Sequence, residues 1–265
     1  MNRAMSGPCA VGIVIVNGPA GSSAAFTDTE RLDVVLAFNR GWDTLYTLSD
    51  KNSPVRPHLL MMADLRVVTL SIDPATIPAP STTSPSNADY TSRETPWRAA
   101  ALQALGYSTG TAGIQAYNQY LLTKSWAVGV TPTSAYVAFV TKYHAAWMAY
   151  THGSSAYQVY QYPWVSASGD FELAGAGGWG TDWQRVVAHE TGHIFGAPDE
   201  YAASQCSSAQ TFGVLGIRNG NCENDTTVPH VPCLMRANTS DVCTFTIQTF
   251  GWVDANSDGV LDVAP

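Results

Sequence analysis

The segment His189-Glu190-Thr191-Gly192-His193-Ile194-Phe195-Gly196-Ala197-Pro198-Asp199-Glu200-Tyr201 decides how the rest of the chain is read. On an α-helix, residues four apart lie on one face about a turn apart, so His189 and His193 can aim two imidazole nitrogens at one ion. That spacing suits tetrahedral zinc. Glu190 is turned about 100° from His189, near enough to such a metal to act as a general base without ligating it. Gly196 suits the left-handed conformation that ends a helix, and Pro198 prevents a restart. The chain therefore turns sharply after His193 and carries Asp199 back toward the ion. Asp199 is the candidate third ligand, Glu200 is its rival, and Tyr201 has two readings, packing under the turn, which is preferred, or reaching the site with its hydroxyl.

Thr181 with Gln184 three residues on makes a capping-box pattern, and Trp183, Val187, Thr191, Ile194 and Phe195 form an apolar stripe that leaves the other face to the metal. With these signals in place, the stretch resembles the metzincin signature, in which a glycine turn after H-E-x-x-H supplies a third ligand three residues past the glycine. Most metzincins carry histidine there. Asp199 is similar instead to the small secreted bacterial metalloproteases of the snapalysin type, and Gly-Ala-Pro-Asp-Glu-Tyr is similar to uncharacterised secreted metzincin-like proteins. Cys233-Leu234-Met235-Arg236 resembles the family's methionine turn, with Met235 beneath the metal. No tyrosine follows Met235, where some metzincins have one. The motifs cover residues 181–236.

The resemblance implies an α+β fold: a twisted mixed sheet with packed helices and the active-site helix in an N-terminal lobe, residues 1–196, and a small irregular lobe, residues 197–250. It implies a zinc endopeptidase acting on protein or peptide substrates, with zinc on His189, His193 and Asp199, and Glu190 assisting the attack of a water on that zinc. Three readings compete: a structural zinc site, a catalytically silent binding or adhesion module on the same scaffold, and a zinc amidohydrolase of non-peptide amides. Glu190 speaks against the first two, because neither a closed structural site nor simple binding needs an adjacent base.

Composition narrows the setting. The 265 residues are 45% hydrophobic and 11% aromatic, enough to bury a full core. Charged residues are only 13% and the net charge is −8, so there is no basic footprint for nucleic acid. The longest apolar run, Ala10 to Val16, is too short to span a bilayer and reads as a strand. Residues 1–9 lack a signal-peptide pattern, yet few charges and clustered cysteines suggest a secreted protein. Cys206, Cys222, Cys233 and Cys243 lack paired C-x-x-C knuckles, so bridges are favoured over a second, cysteine-bound zinc. Of three pairings, Cys206–Cys222 and Cys233–Cys243 are preferred. Cys9 remains as a buried thiol.

Along the chain, Val11 to Val16 reads as a central strand, Thr29 to Leu48 as an amphipathic helix capped near Asp28, and Leu65 to Ile72 as a second strand. Asp73 to Glu94 reads as a surface loop, followed by helices opening at Thr95-Pro96 and over Thr111 to Lys124. Tyr136 to Val140, Ala145 to Thr151 and Tyr157 to Val165 read as strands. By the resemblance, the last is the edge strand that aligns substrate. Gly175 to Gly180 reads as a flexible loop without a phosphate-binding pattern. His58, His144 and His152 read as ordinary polar residues, with His230 a nearer alternative to the site. After a packed segment around Phe245 to Trp252, residues 251–265 begin what resembles a calcium loop of the EF-hand or dockerin kind. Its oxygen donors are Asp254, Asn256, Asp258 and Asp262, with Gly259 at the sixth position. Pro265 occupies the twelfth place and cannot supply a carboxylate. The segment is taken as the trimmed start of a downstream module or calcium-dependent partner site rather than an Asp-rich turn.

Overall fold

An uninterrupted β-branched run is most stable where both its faces are covered. Val11 to Val16 accordingly forms the middle of β1 (Pro8–Asn17), which is buried from Cys9 to Asn17. The structure is a computed structural model that describes residues 4–77, 87–142, 149–162 and 183–263. The other elements in order are α1 (Asp28–Asn52), β2 (Leu60–Thr69), α2 (Asn87–Ala104), α3 (Gly110–Thr123), β3 (Ser134–Thr141), β4 (Ala149–His152), β5 (Tyr157–Gln161), α4 (Trp183–Ile194), β6 (Thr211–Phe212), β7 (Ile217–Arg218), α5 (Leu234–Ala237) and α6 (Thr244–Thr249). The fold is thus α+β with a mixed sheet.

The chain divides into two compact units, one of Met1–Cys9, Phe38–Met61 and Trp183–Pro265, the other of Ala10–Ala37 and Met62–Asp182. The division keeps α4 with the segment that follows it, whereas the sequence places a lobe boundary at residue 196.

In the sheet unit the strand order is β2-β1-β3-β5-β4. β3 and β5 run parallel, with Val137 opposite Tyr157, and β4 runs antiparallel to β5, with Ala149 opposite Tyr160. Trp97, Ala101 and Leu102 of α2 and Ile114, Tyr117 and Leu121 of α3 join Val14, Val16, Val137, Phe139 and Val159 in one apolar core. β5 therefore has partners on both sides and β4 is the edge strand. This corrects the assignment of Tyr157 to Val165 as the substrate-aligning edge, since an interior strand has no free backbone groups to offer. Residues 163–165 lie outside the described residues, as do the Thr181 cap, Gly175 to Gly180 and His144.

Two helix starts also differ from expectation. The cap of α1 is Thr27: its Oγ1 accepts from the Glu30 N–H at 3.3 Å while Glu30 Oε2 accepts from the Thr27 N–H at 2.7 Å, a reciprocal capping box one residue before Asp28. α2 begins at Asn87 and runs through Pro96 rather than starting there. Its middle is anchored by tertiary contacts strong enough to offset the lost amide. Glu94 is fully buried, pairs with Arg98 at 3.3 Å, and accepts from the Tyr150 and Tyr157 hydroxyls, tying α2 to β4 and β5.

In the other unit, regular structure is sparse after α4, and a disulfide joins Cys206 to Cys222. Closing a loop of 16 residues' separation restricts the unfolded chain, which suits a segment with little apolar core of its own. Trp252 and Phe250 are buried, and the Trp252 indole N–H reaches the Met5 carbonyl at 2.8 Å, so the chain's beginning packs under its last helix.

Candidate metal centre

Helical geometry places the two histidines as their spacing requires. His189 and His193 stand a turn apart on α4 with ring centroids 4.8 Å apart and ring planes 86° from parallel. Each ring is oriented by a backbone carbonyl: His189 Nδ1 lies 2.9 Å from the Leu234 oxygen, and His193 Nδ1 lies 2.7 Å from the Ala197 oxygen. A carbonyl oxygen only accepts, so each Nδ1 must carry the proton and each Nε2 is left with its lone pair in the neutral ring. That tautomer suits a metal ligand.

Both Nε2 atoms converge on one carboxylate oxygen. Asp199 Oδ1 is 3.0 Å from His189 Nε2 and 3.2 Å from His193 Nε2. The turn that delivers it is built as the sequence implies. Gly196 has φ +87°, its N–H donates to His193 and that of Ala197 to Gly192, which closes the helix. The Asp199 carbonyl accepts from Asn219 Nδ2 at 2.9 Å, fixing the backbone of the ligand loop. Three Lewis bases facing one point repel unless a cation or a proton lies between them. The electrostatics say so directly: burial alone would depress His193, but the Asp199 carboxylate outweighs it and raises the imidazole to about 9. Against the upward push of burial, the two imidazoles hold Asp199 well below the usual carboxylate range. The donor set, two imidazole Nε2 atoms and a carboxylate oxygen in an open constellation of three, fits a catalytic type of zinc site.

Glu190 is buried beside these groups and its charge is felt by both His193 and Tyr201. Met235 is fully buried under the helix, where a Cβ added to Gly192 would meet its Sδ at 2.8 Å. A side chain at position 192 would therefore make the end of the Met235 side chain shift. Of the two readings of Tyr201, the structure favours the one beside the site: its ring lies 6.5 Å from that of His189. Burial, then the Asp199 and Glu190 charges, push that phenol up. The spacing Asp-x-Tyr was the only signal for it.

Glu200 is not a rival ligand for the histidine pair. Its side chain is turned into the interior, where Asn221, Thr246 and Cys243 bond to it. Cys233 and Cys243 are free, buried thiols, which corrects the expected second bridge: Cys243 Sγ is directed at Glu200 Oε1, 3.1 Å away, and the Cys243 N–H donates to Cys233 Sγ at 3.3 Å. Cys9 is free and buried as expected. His230 Nε2 lies against the Cys222 and Asp225 carbonyls rather than at the metal centre.

The C-terminal loop does not gather its carboxylates. Asp254 accepts from the Asp258 and Gly259 N–H groups, Asn256 from Asp258, Asp258 from Val260, and Asp262 from Ala255. Among the described residues, the two groups of ligand atoms that converge are His189, His193 and Asp199, and Glu200, Cys233 and Cys243. No helix among those residues is long and apolar enough to cross a membrane. Compared with known proteins, the chain matches no family model and no curated sequence.

Proposed function

We propose that the protein is a secreted zinc-dependent endopeptidase of metzincin type, with Glu190 as general base. The observation that carries the reading is the meeting of His189 Nε2 and His193 Nε2 at Asp199 Oδ1, with both Nδ1 atoms committed to carbonyls and a buried glutamate beside them. The mixed sheet, with β3 and β5 parallel and β4 antiparallel at an edge, and the Met235 contact under α4 support it.

His189, His193 and Asp199 would hold the zinc, which would supply Lewis acidity for a peptide carbonyl and for the attacking water. Glu190 takes the proton of the attacking water and returns it to the departing amine. The Leu234 and Ala197 carbonyls keep both imidazoles in the ligating tautomer throughout. The Tyr201 phenol, its ring 6.5 Å from that of His189 and its proton kept by burial, is the candidate donor to the developing oxyanion.

The test is cleavage of an unstructured protein such as casein by zinc-loaded protein, with and without a chelator, while bound zinc is counted. Glu190→Gln is expected to lose turnover by about 10²-fold or more with zinc retained, and His193→Ala to lose turnover together with the zinc of this site. Unchanged turnover in Glu190→Gln would sink the mechanism.

A further inference from the structure

The cysteine spacing argues against a cysteine-bound zinc because it assumes that sulfur must fill all four corners. The structure brings other donors from elsewhere. Glu200 Oε1 lies 2.8 Å from Thr246 Oγ1 and 3.1 Å from Cys243 Sγ. Thr246 Oγ1 lies 3.2 Å from Cys233 Sγ and 3.5 Å from Cys243 Sγ. Four of the six separations among these donor atoms are thus close to the edges of a tetrahedron, and the Glu200, Cys233 and Cys243 ligand atoms all lie within 4.8 Å of one another. Zinc bonds of about 2.0 Å to oxygen and 2.3 Å to sulfur need edges only a few tenths of an ångström longer.

The environment fits a cation. Cys233 is fully buried, Glu200 is 1% exposed and Cys243 4%. The second Glu200 oxygen accepts from Asn221 Nδ2 at 2.6 Å, and none of the carboxylate's hydrogen-bond partners here is cationic. A buried carboxylate without a counter-charge is costly. Both sulfurs accept backbone N–H groups, Cys233 from Cys243 and Cys243 from Thr246 at 3.5 Å. The same chain closes Cys206–Cys222 as a bridge while leaving this pair open around a shared centre.

We propose that Glu200, Cys233 and Cys243, with the Thr246 hydroxyl at the fourth corner, form a second, structural site for zinc. The site ties together three elements: the ligand loop through Glu200, the methionine turn through Cys233, and the start of α6 through Cys243. Unlike the histidine site it is closed, with no open position for substrate. Both thiols give up their protons on binding, so loading is linked to folding.

The inference stands or falls separately from the peptidase reading, because it is read from metal content and spectrum rather than turnover. Zinc analysis of the full chain is expected to give about two ions per chain, falling to about one in His193→Ala and about one in Cys243→Ser. Should Cys243→Ser fail to fold, the wild-type protein loaded with cobalt answers alone. A sulfur-to-cobalt charge-transfer absorption in the near ultraviolet is expected, which the histidine and aspartate site has no sulfur to produce. Wild-type protein with about one zinc, all of it lost in His193→Ala, or cobalt protein without that absorption, overturns the proposal. So does recovery of Cys233 and Cys243 as a cystine in unreduced peptides.

Discussion

At the scale of single residues, the proposed metal centre depends on atoms that would not touch the metal. Asn219 is 2% exposed and its amide holds the Asp199 carbonyl, so it fixes the loop on which the third ligand rides. Asn219→Asp keeps the shape and removes the donor. Losing that hydrogen bond and stranding a carbonyl costs about 1–3 kcal/mol, and loosened outer partners typically weaken metal binding by about 10-fold or more. Zinc affinity measured by competition with a chromophoric chelator should fall by that order; an affinity equal to the parent's would exclude the role. The two histidines, Glu190 and Asp199 were legible at this scale because each sits at a fixed offset in a helix or its exit turn. Asn219 was not, because nothing within a few residues of it hints at Asp199.

Among the elements, the packing of α1 on α4 decides where the histidines stand. Gly41 looks like a flaw in an amphipathic helix, yet a Cβ there would lie 2.6 Å from Val187 Cγ1, 2.7 Å from Val187 Cβ and 3.1 Å from the Gln184 carbonyl. The obstacles are a β-branched stem and a backbone oxygen, neither of which can swing aside. Gly41→Ala gains about 1 kcal/mol of helix propensity but forces overpacking worth about 1–3 kcal/mol. The expected result is a net loss of about 1 kcal/mol or more in urea unfolding, together with weaker zinc binding, since His189 is two residues from Val187. A stabilised variant would show that the helices can part without cost. The periodicity that marks α1 as a helix was plain in the sequence. The reason for its glycine was not, since the neighbour it admits is almost 150 residues away.

Across the whole molecule, the sheet unit carries its own pH dependence. His152 on β4 stacks on Tyr157 with centroids 4.4 Å apart, and its Nε2 has no hydrogen-bond partner among the described residues. Burial, then the nearby Arg98 charge, lower it from 6.5 to about 4. The unfolded chain takes up this proton near pH 6.5 and the folded chain only near pH 4, so stability is whole above that window and falls as pH drops through it. Glu94, raised by burial, acts in the opposite sense, so the contribution of His152 is read by difference. His152→Gln should gain up to about 3 kcal/mol relative to the parent between pH 6.5 and pH 4. Parallel urea titrations that stay equally spaced over this range would refute it.

The sequence alone determined whatever is encoded within one or two turns of chain: the helix over residues 183–194, the histidine spacing, the glycine stop, the return of Asp199 to the histidines, the central strand, and an α+β class. These follow from backbone geometry and side-chain periodicity, which act over short separations. Tertiary structure decided which groups meet from afar. It made β4 rather than β5 an edge, turned Glu200 away from the histidines, brought the Tyr201 ring within 6.5 Å of that of His189, and left Cys233 and Cys243 as free thiols with Cys243 directed at Glu200. Each is a choice among partners distant in sequence, settled by burial and by the need to satisfy buried polar atoms, and local pattern carries no information about either.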